Sequence, residues 1–333
     1  MLEITELTKV YRGGVRANDG VDLSVAAGEV FGLLGHNGAG KTTLASQLVG
    51  LLAPTSGAIL IDGRDAVRDP AFARRVCSVQ PQAQVPIKGL TPRQAMELVG
   101  RMRGARPAEV HHRAGWIVDA LDIGEWVDVD AARISGGVTR LVSFGMAVVA
   151  PGRVVVLDEP TNDVDPVRRR LLWQLVRTVA DEGAAVLLIT HNVVEAERSV
   201  DRLAILDHGR VIAEGTPGEL KGQLGNDLRL ELVLEPGAPA PVLPAFVGRP
   251  VTSGNRVLGR VASEAAGDAA AWAGGLARGG TIEEFAITPA TLEDVYVELV
   301  GRTDPLGATG GGLGGDQDRR AGRAGKETDD VAA

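Results

Sequence analysis

GHNGAGKTT (residues 35–43) stands between the apolar run EVFGLL (29–34) and TTLASQLVGLL (42–52), whose apolar residues recur at helical spacing up to Pro54. It matches G-x-x-x-x-G-K-[ST] in the strand–loop–helix setting that a phosphate-binding loop requires. Gly35, Gly38 and Gly40 let the backbone curl so that the amides of the loop, with His36, Asn37 and Ala39 among its members, turn inward toward phosphate oxygens. The helix that follows adds the positive end of its dipole. Lys41 is placed to reach the β- and γ-phosphates, and the Thr42 hydroxyl, followed by Thr43, is placed to ligate Mg2+. The competing reading, a glycine-rich turn, leaves this lysine and this context unexplained.

A second stretch answers the first. VVVLDEP (154–160) is an apolar strand ending in two acids. Asp158, at the strand end, is expected in the Mg2+ shell; Glu159, one residue on, is expected to polarise a water for attack on the γ-phosphate. Alone, the pair would equally suit an exposed strand end.

Outward from these motifs, short apolar runs alternate with helical patterns: GAILIDG (57–63), a mostly helical 91–126, a helix over about 138–150, VVVLDE, a helix over 166–182, AVLLIT and a helix over 193–199. RLAILDHGRVIAEG (202–215) reads as a hairpin. This alternation predicts an α/β fold with a largely parallel core sheet and a helical insert. Past residue 221 the texture changes. DLRLELVLE and TIEEFAI read as strands around the Pro-rich connector PGAPAPVLPAFVGRP, and TPATLEDVYVELVG as a helix with a Thr291-x-x-Asp294 capping box. On that helix Leu292, Val295, Tyr296, Leu299 and Val300 share one face. The expected domains are 1–221 (helical subdomain about 83–152), a small α+β unit over 222–301, and a disordered, glycine-rich tail over 302–333.

Composition excludes several classes. A net charge of −8 argues against a nucleic-acid partner, and the single Cys77 rules out an internal disulfide and a cysteine-rich metal site. No N-terminal leader pattern is present, and the longest apolar runs fall well short of the about 20 residues of a membrane helix.

The order of motifs over residues 2–220 resembles the nucleotide-binding subunits of ATP-binding-cassette (ABC) transporters. The resemblance implies a P-loop NTPase fold of ABC ATPase type, with a parallel core sheet, an antiparallel β subdomain, a helical subdomain and a small α+β C-terminal extension, and with ATP and Mg2+ as its ligands. It places Tyr11 where an aromatic stacks on adenine, and Gln82 in the Q-loop, contacting Mg2+ or the attacking water. Gln80 and Gln84 are neighbouring alternatives for that role. NDVD (162–165) resembles the D-loop, with Asp165 as the acid reaching a second subunit and Asp163 departing from the small residue usual there. In ITHN (189–192), His191 corresponds to the residue that holds the γ-phosphate and Glu159. ISGGV (134–138) occupies the place of the LSGGQ signature: Ser135, Gly136 and Gly137 are retained, while Val138 replaces glutamine. In that architecture the signature loop serves ATP held by the other copy, which implies a head-to-tail dimer around two ATPs.

The segment GTIEEFAITPATLEDVYVELVG looks like the end of drug-exporter ATPases of the daunorubicin/doxorubicin-resistance type. The implied protein is an ATP-hydrolysing subunit at the cytoplasmic face of the membrane. It would drive a separate membrane-spanning permease and pair with a second ATPase subunit, identical or different. Two rivals remain: a catalytically weak regulatory subunit, suggested by Val138 and Asp163, and a non-transport ABC ATPase.

Overall fold

The computed structural model describes residues 1–303 except 224 and 226; the rest of the stretch expected to be disordered lies outside the described residues. In chain order, β1 (Leu2–Val10), β2 (Arg16–Val25) and β3 (Val30–Leu34) lead into α1 (Lys41–Leu48), followed by β4 (Ser56–Ile61), β5 (Arg64–Asp65), α2 (Pro70–Val76) and β6 (Cys77–Gln80). A helical stretch, α3 (Pro92–Met102), α4 (Pro107–Ala120) and α5 (Gly136–Val148), precedes β7 (Val154–Asp158), α6 (Pro166–Asp181), β8 (Ala185–Thr190), α7 (Val193–Ser199), β9 (Arg202–Asp207) and β10 (Arg210–Gly215). The chain continues through α8 (Pro217–Gly222), β11 (Leu228–Leu234), β12 (Val247–Ser253), β13 (Arg256–Val261), α9 (Ala266–Arg278), β14 (Ile282–Pro289) and α10 (Leu292–Thr303).

The central sheet runs β10-β9-β3-β8-β7-β6, parallel throughout except for β10. Its inner strands are buried on both faces, which is why VFGLL, VVVLD and AVLLIT are near-continuous apolar runs rather than alternating ones. Because β3, β8 and β7 are neighbours pointing the same way, the three segments that follow them emerge side by side at one sheet edge, the usual ligand edge of parallel sheets. The antiparallel sheet β2-β1-β4-β5 packs its apolar face under the same core, with Leu2, Leu7, Ile59 and Ile61 joining Phe31 and Leu44.

Helix α5 starts two residues earlier than the apolar spacing suggests, because the Ser135 hydroxyl accepts the Val138 amide at 3.3 Å and caps it. Beyond β10, the antiparallel sheet β12-β13-β11-β14 is covered by α9. The hairpin β12–β13 begins at Val247, inside the stretch read as a connector, and turns at Gly254.

Helix α10 ties this outer unit to the first. The expected capping box forms: Asp294 Oδ2 accepts the Thr291 amide at 2.8 Å, and Thr291 Oγ1 accepts the Asp294 amide at 3.3 Å. The helix runs through Thr303, two residues into the stretch expected to be disordered. Leu292 and Val295 are buried with Leu34, Val193, Ala196, Leu203, Ile205 and Leu220. The opposite side is held by Glu298, which pairs with Arg249 and Arg260 of the outer sheet. Leu292→Ala should therefore destabilise the chain by about 2–4 kcal/mol, since a fully buried leucine is lost from a shared core. Urea denaturation of the full chain measures this; a change below about 0.5 kcal/mol would mean α10 is not docked as described.

Candidate active site

The loop after β3 is shaped by what it passes. A Cβ on Gly40 would lie 2.2 Å from the Ala17 carbonyl oxygen, and one on Gly35 would lie 2.4 Å from that of Leu206, so both positions exclude any side chain. Gly40 also holds φ at 110°, where an L-residue is strained. No side chain caps α1, so no competing acceptor occupies its first amides. Lys41 is buried; its ammonium donates to the carbonyls of Gly35 at 2.5 Å and His36 at 3.0 Å, bridging its own loop. Burial lowers the pKa of Lys41, partly offset by the charges of Glu159 and Asp158. These residues open onto a cavity of about 340 Å³ lined by Ala17, His36, Asn37, Gly38, Gly40, Lys41, Thr42, Thr43, Gln82, Asp158 and Glu159. Gly35 and Ala39 support the loop from behind. Ala39's carbonyl accepts the Gly209 amide at 2.9 Å.

Asp158 closes β7 and shares the cavity lining with Thr42. Burial, then the neighbouring Glu159 carboxylate, push Asp158 up to about 6 against the pull of Lys41. Glu159 stands at φ 50°, an uncommon backbone state for a non-glycine residue and one that recurs at functional sites. Its carboxylate is held from β8: Oε2 accepts the Thr190 hydroxyl at 3.1 Å, and Oε1 accepts the His191 amide at 2.9 Å, with His191 Nδ1 at 2.5 Å. The Thr42 hydroxyl, the Asp158 carboxylate and the Gln82 amide at this cavity are hard oxygen donors of the kind Mg2+ selects.

The three candidate glutamines separate cleanly. Gln82 lines the cavity; Gln80 is fully buried and donates to the Arg140 carbonyl at 3.2 Å; the Gln84 amide lies near Gly136. Sequence reasoning missed Arg140. From α5 its buried guanidinium donates to the carbonyls of Pro81 at 3.0 Å and Gln82 at 2.7 Å, fixing the backbone that presents Gln82. A charged residue set among Val138, Leu141 and Val142 was the available signal.

Ser135, Gly136, Gly137 and Asp165 do not line this chain's cavity. A Cβ on Gly137 would lie 2.4 Å from the Asp163 carbonyl oxygen, so the two loops are packed backbone to backbone. Val138 is buried in the helical core, where an apolar side chain is at home. Asp163 sits at φ 65°, a state aspartate tolerates. Asp165 caps α6 by accepting the amides of Val167 and Arg168, both at 3.0 Å. Tyr11 is 43% exposed outside the cavity lining, its hydroxyl 3.4 Å from that of Thr43.

A family model described as ABC transporter matches residues 18–162. The daunorubicin/doxorubicin resistance ATP-binding protein of Streptomyces peucetius is 42% identical over 232 residues, 69% of this chain and 70% of that protein. The daunorubicin resistance ATP-binding protein of Streptomyces coeruleorubidus is 36% identical over 87% of this chain and 92% of its own. Among solved structures, an ATP-binding subunit of an ABC transporter superposes with a TM-score of 0.63 at 30% identity, covering 68% of this chain and 93% of that one. The fold and family resemblance read from the sequence are borne out.

The raised Asp158 carboxyl has a thermodynamic consequence. Its folded pKa lies above the ordinary value of 3.8, so ionised Asp158 opposes folding in full above about pH 6, and the penalty shrinks as pH falls below 6 and vanishes only below 3.8. Asp158→Asn should raise the melting temperature of the nucleotide-free chain at pH 8, on the order of 2–4 °C, with a smaller gain at pH 5.5. Equal gains at both pH values, or a loss at pH 8, would contradict this burden.

Proposed function

We propose, because the chain belongs to the ATP-binding-cassette (ABC) transporter family and hydrolyses ATP, that it powers a separate membrane-spanning permease of the export type. Residues 1–221 are the ATPase domain and 222–301 an accessory domain. No helix among the described residues is long and apolar enough to cross a membrane, which suits a subunit held at the cytoplasmic face through its permease. The observation that carries the reading is the convergence of Lys41, Asp158, Glu159 and His191 at the ends of three adjacent parallel strands.

The phosphates of ATP enter the loop from Gly35 to Thr43, where the amides and the α1 dipole meet them. Lys41 leaves its loop carbonyls for the β- and γ-phosphate oxygens. Tyr11 lies at the rim as a stacking surface for the base. Thr42, Asp158 and Gln82 would hold Mg2+, which when bound neutralises phosphate charge. Glu159 orients and deprotonates the attacking water, and His191 fixes the Glu159 carboxylate and meets the γ-phosphate.

Ser135, Gly136 and Gly137 at the start of α5 serve ATP on a second ATP-binding subunit, and Asp165 faces the same junction. Their position away from this chain's cavity supports that arrangement. Burial of the Val138 side chain in the core supports the active reading over the weak-subunit alternative. The drug-resistance names of the relatives and the C-terminal segment support the export assignment.

Glu159→Gln should lower ATP turnover by about 10²–10⁴ while ATP binding survives, as loss of a general base does. Unchanged turnover removes Glu159 from this role. Lys41→Ala should instead weaken ATP binding itself, read by titration with a fluorescent ATP analogue; unaltered affinity would contradict the phosphate contact.

A further inference from the structure

Strands β7 and β8 pair as far as Asp158 opposite Ile189, and the Glu159 amide adds a bond to the Ile189 carbonyl at 2.9 Å. Past that point two carboxylates span the following loops in opposite directions. Glu159 reaches from the β7 side to Thr190 and His191. Glu195, in the first turn of α7, reaches back. Its Oε2 accepts the Thr161 hydroxyl at 2.6 Å, and its Oε1 pairs with Arg169 Nη1 of α6 at 2.7 Å. The two loops are thus cross-braced.

An acid in the first turn of a helix commonly answers the helix dipole at the surface. Glu195 does more: its side chain is only 12% exposed, and both its oxygens are engaged by the other loop. Thr161 is buried two residues after Glu159, and Arg169 also donates to the Val164 carbonyl at 3.0 Å. The brace therefore grips the 161–164 turn at two points. On the α7 side, Asn192 Oδ1 accepts the Glu195 amide at 3.1 Å, and the Asn192 amide donates to the Thr190 hydroxyl at 3.0 Å. That hydroxyl is the one that donates to Glu159. His191 lies between these anchors with its ring half exposed, so its distance from Glu159 depends on where α7 stands. Thr161, Glu195 and Arg169 do not line the nucleotide cavity.

We propose that Glu195 is a positioning residue for ATP hydrolysis, holding the helix behind His191 at a set distance from the loop behind Glu159. The proposal rests on the roles given above to Glu159 and His191. Glu195 acts through His191 and touches neither substrate nor Mg2+. Charge-assisted bonds of this kind are the strong ones, which suits a strut. Displacing a group that orients the attacking water by about 1 Å costs on the order of 10²-fold in rate. Glutamine at 195 preserves the strut, since its carbonyl oxygen accepts from Arg169 while its amide donates to the Thr161 oxygen. Alanine cannot span the gap. Thr161→Val cuts the same link from the other end and leaves α7 untouched.

The test combines steady-state hydrolysis of Mg2+·ATP by the full-length protein with nitrogen-15 NMR of its imidazoles. The His191 resonance is assigned by its loss in His191→Ala. Glu195→Ala and Thr161→Val should each lower kcat, by at least about tenfold in Glu195→Ala. ATP affinity, read with a fluorescent analogue, should stay within about twofold of wild type, because the strut acts after binding. Glu195→Gln should keep kcat within about threefold of wild type. The His191 resonance should move in Glu195→Ala and Thr161→Val and hold its place in Glu195→Gln, with the remaining imidazoles unmoved. A His191 resonance unmoved in both disrupting variants overturns the brace. A moved resonance with wild-type kcat overturns its part in hydrolysis, and a loss in Glu195→Gln as deep as in alanine overturns the hydrogen-bonded strut. His191→Ala separates the failures. Wild-type turnover in that variant removes the site reading itself, whereas impaired turnover there beside full activity in Glu195→Ala removes the strut alone.

Discussion

One desolvated cation set among two carboxylates governs the molecule. Lys41, Asp158 and Glu159 meet in one cavity, where burial pulls the Lys41 ammonium down and pushes the Asp158 carboxyl up. Such a cluster is a poor way to stabilise a nucleotide-free protein. Under the proposed function, phosphate oxygens and a hard cation would offset it. The strain is tolerated because three strands buried on both faces hold the groups in place, while glycines at 35 and 40 let the loop pass close to Leu206 and Ala17.

Around that cluster, backbone contacts join the parts that would have to move together. Arg140 grips the carbonyls of Pro81 and Gln82 from the first turns of α5, the same helix that Ser135 caps. Gly137 rests on the carbonyl of Asp163, and the Thr161 hydroxyl donates to Glu195, which pairs with Arg169 of α6. A displacement of the Gln82 segment therefore reaches α5 through rigid donors. On the far side, α10 places Leu292 and Val295 in one buried cluster with Val193 and Ala196 of α7 and Leu34 of β3.

The phosphate loop and the acidic strand end were legible because each breaks an apolar run with charge at a fixed point, a local pattern. The glutamine that lines the cavity, Gln82, was named by the family resemblance and not by any local pattern. Residues 80, 82 and 84 share the parity of an extended chain, so period alone cannot rank them; only the end of β6 at Gln80 does. Arg140 escaped notice because its partners are 58 and 59 residues away and are carbonyls, which leave no trace in sequence. The hairpin β12–β13 was hidden by prolines just before it and by Arg249 and Pro250 within it, and α9 by its run of alanines and glycines with little periodic contrast.

The central claim is that each cavity works only when a second subunit lends its Ser135 loop. Mg2+-dependent ATP hydrolysis by the wild-type chain, followed across a wide range of protein concentration, tests this most directly. The account predicts specific activity that climbs with concentration before levelling. Specific activity that stays constant down to high dilution would show a cavity sufficient in one chain and contradict it.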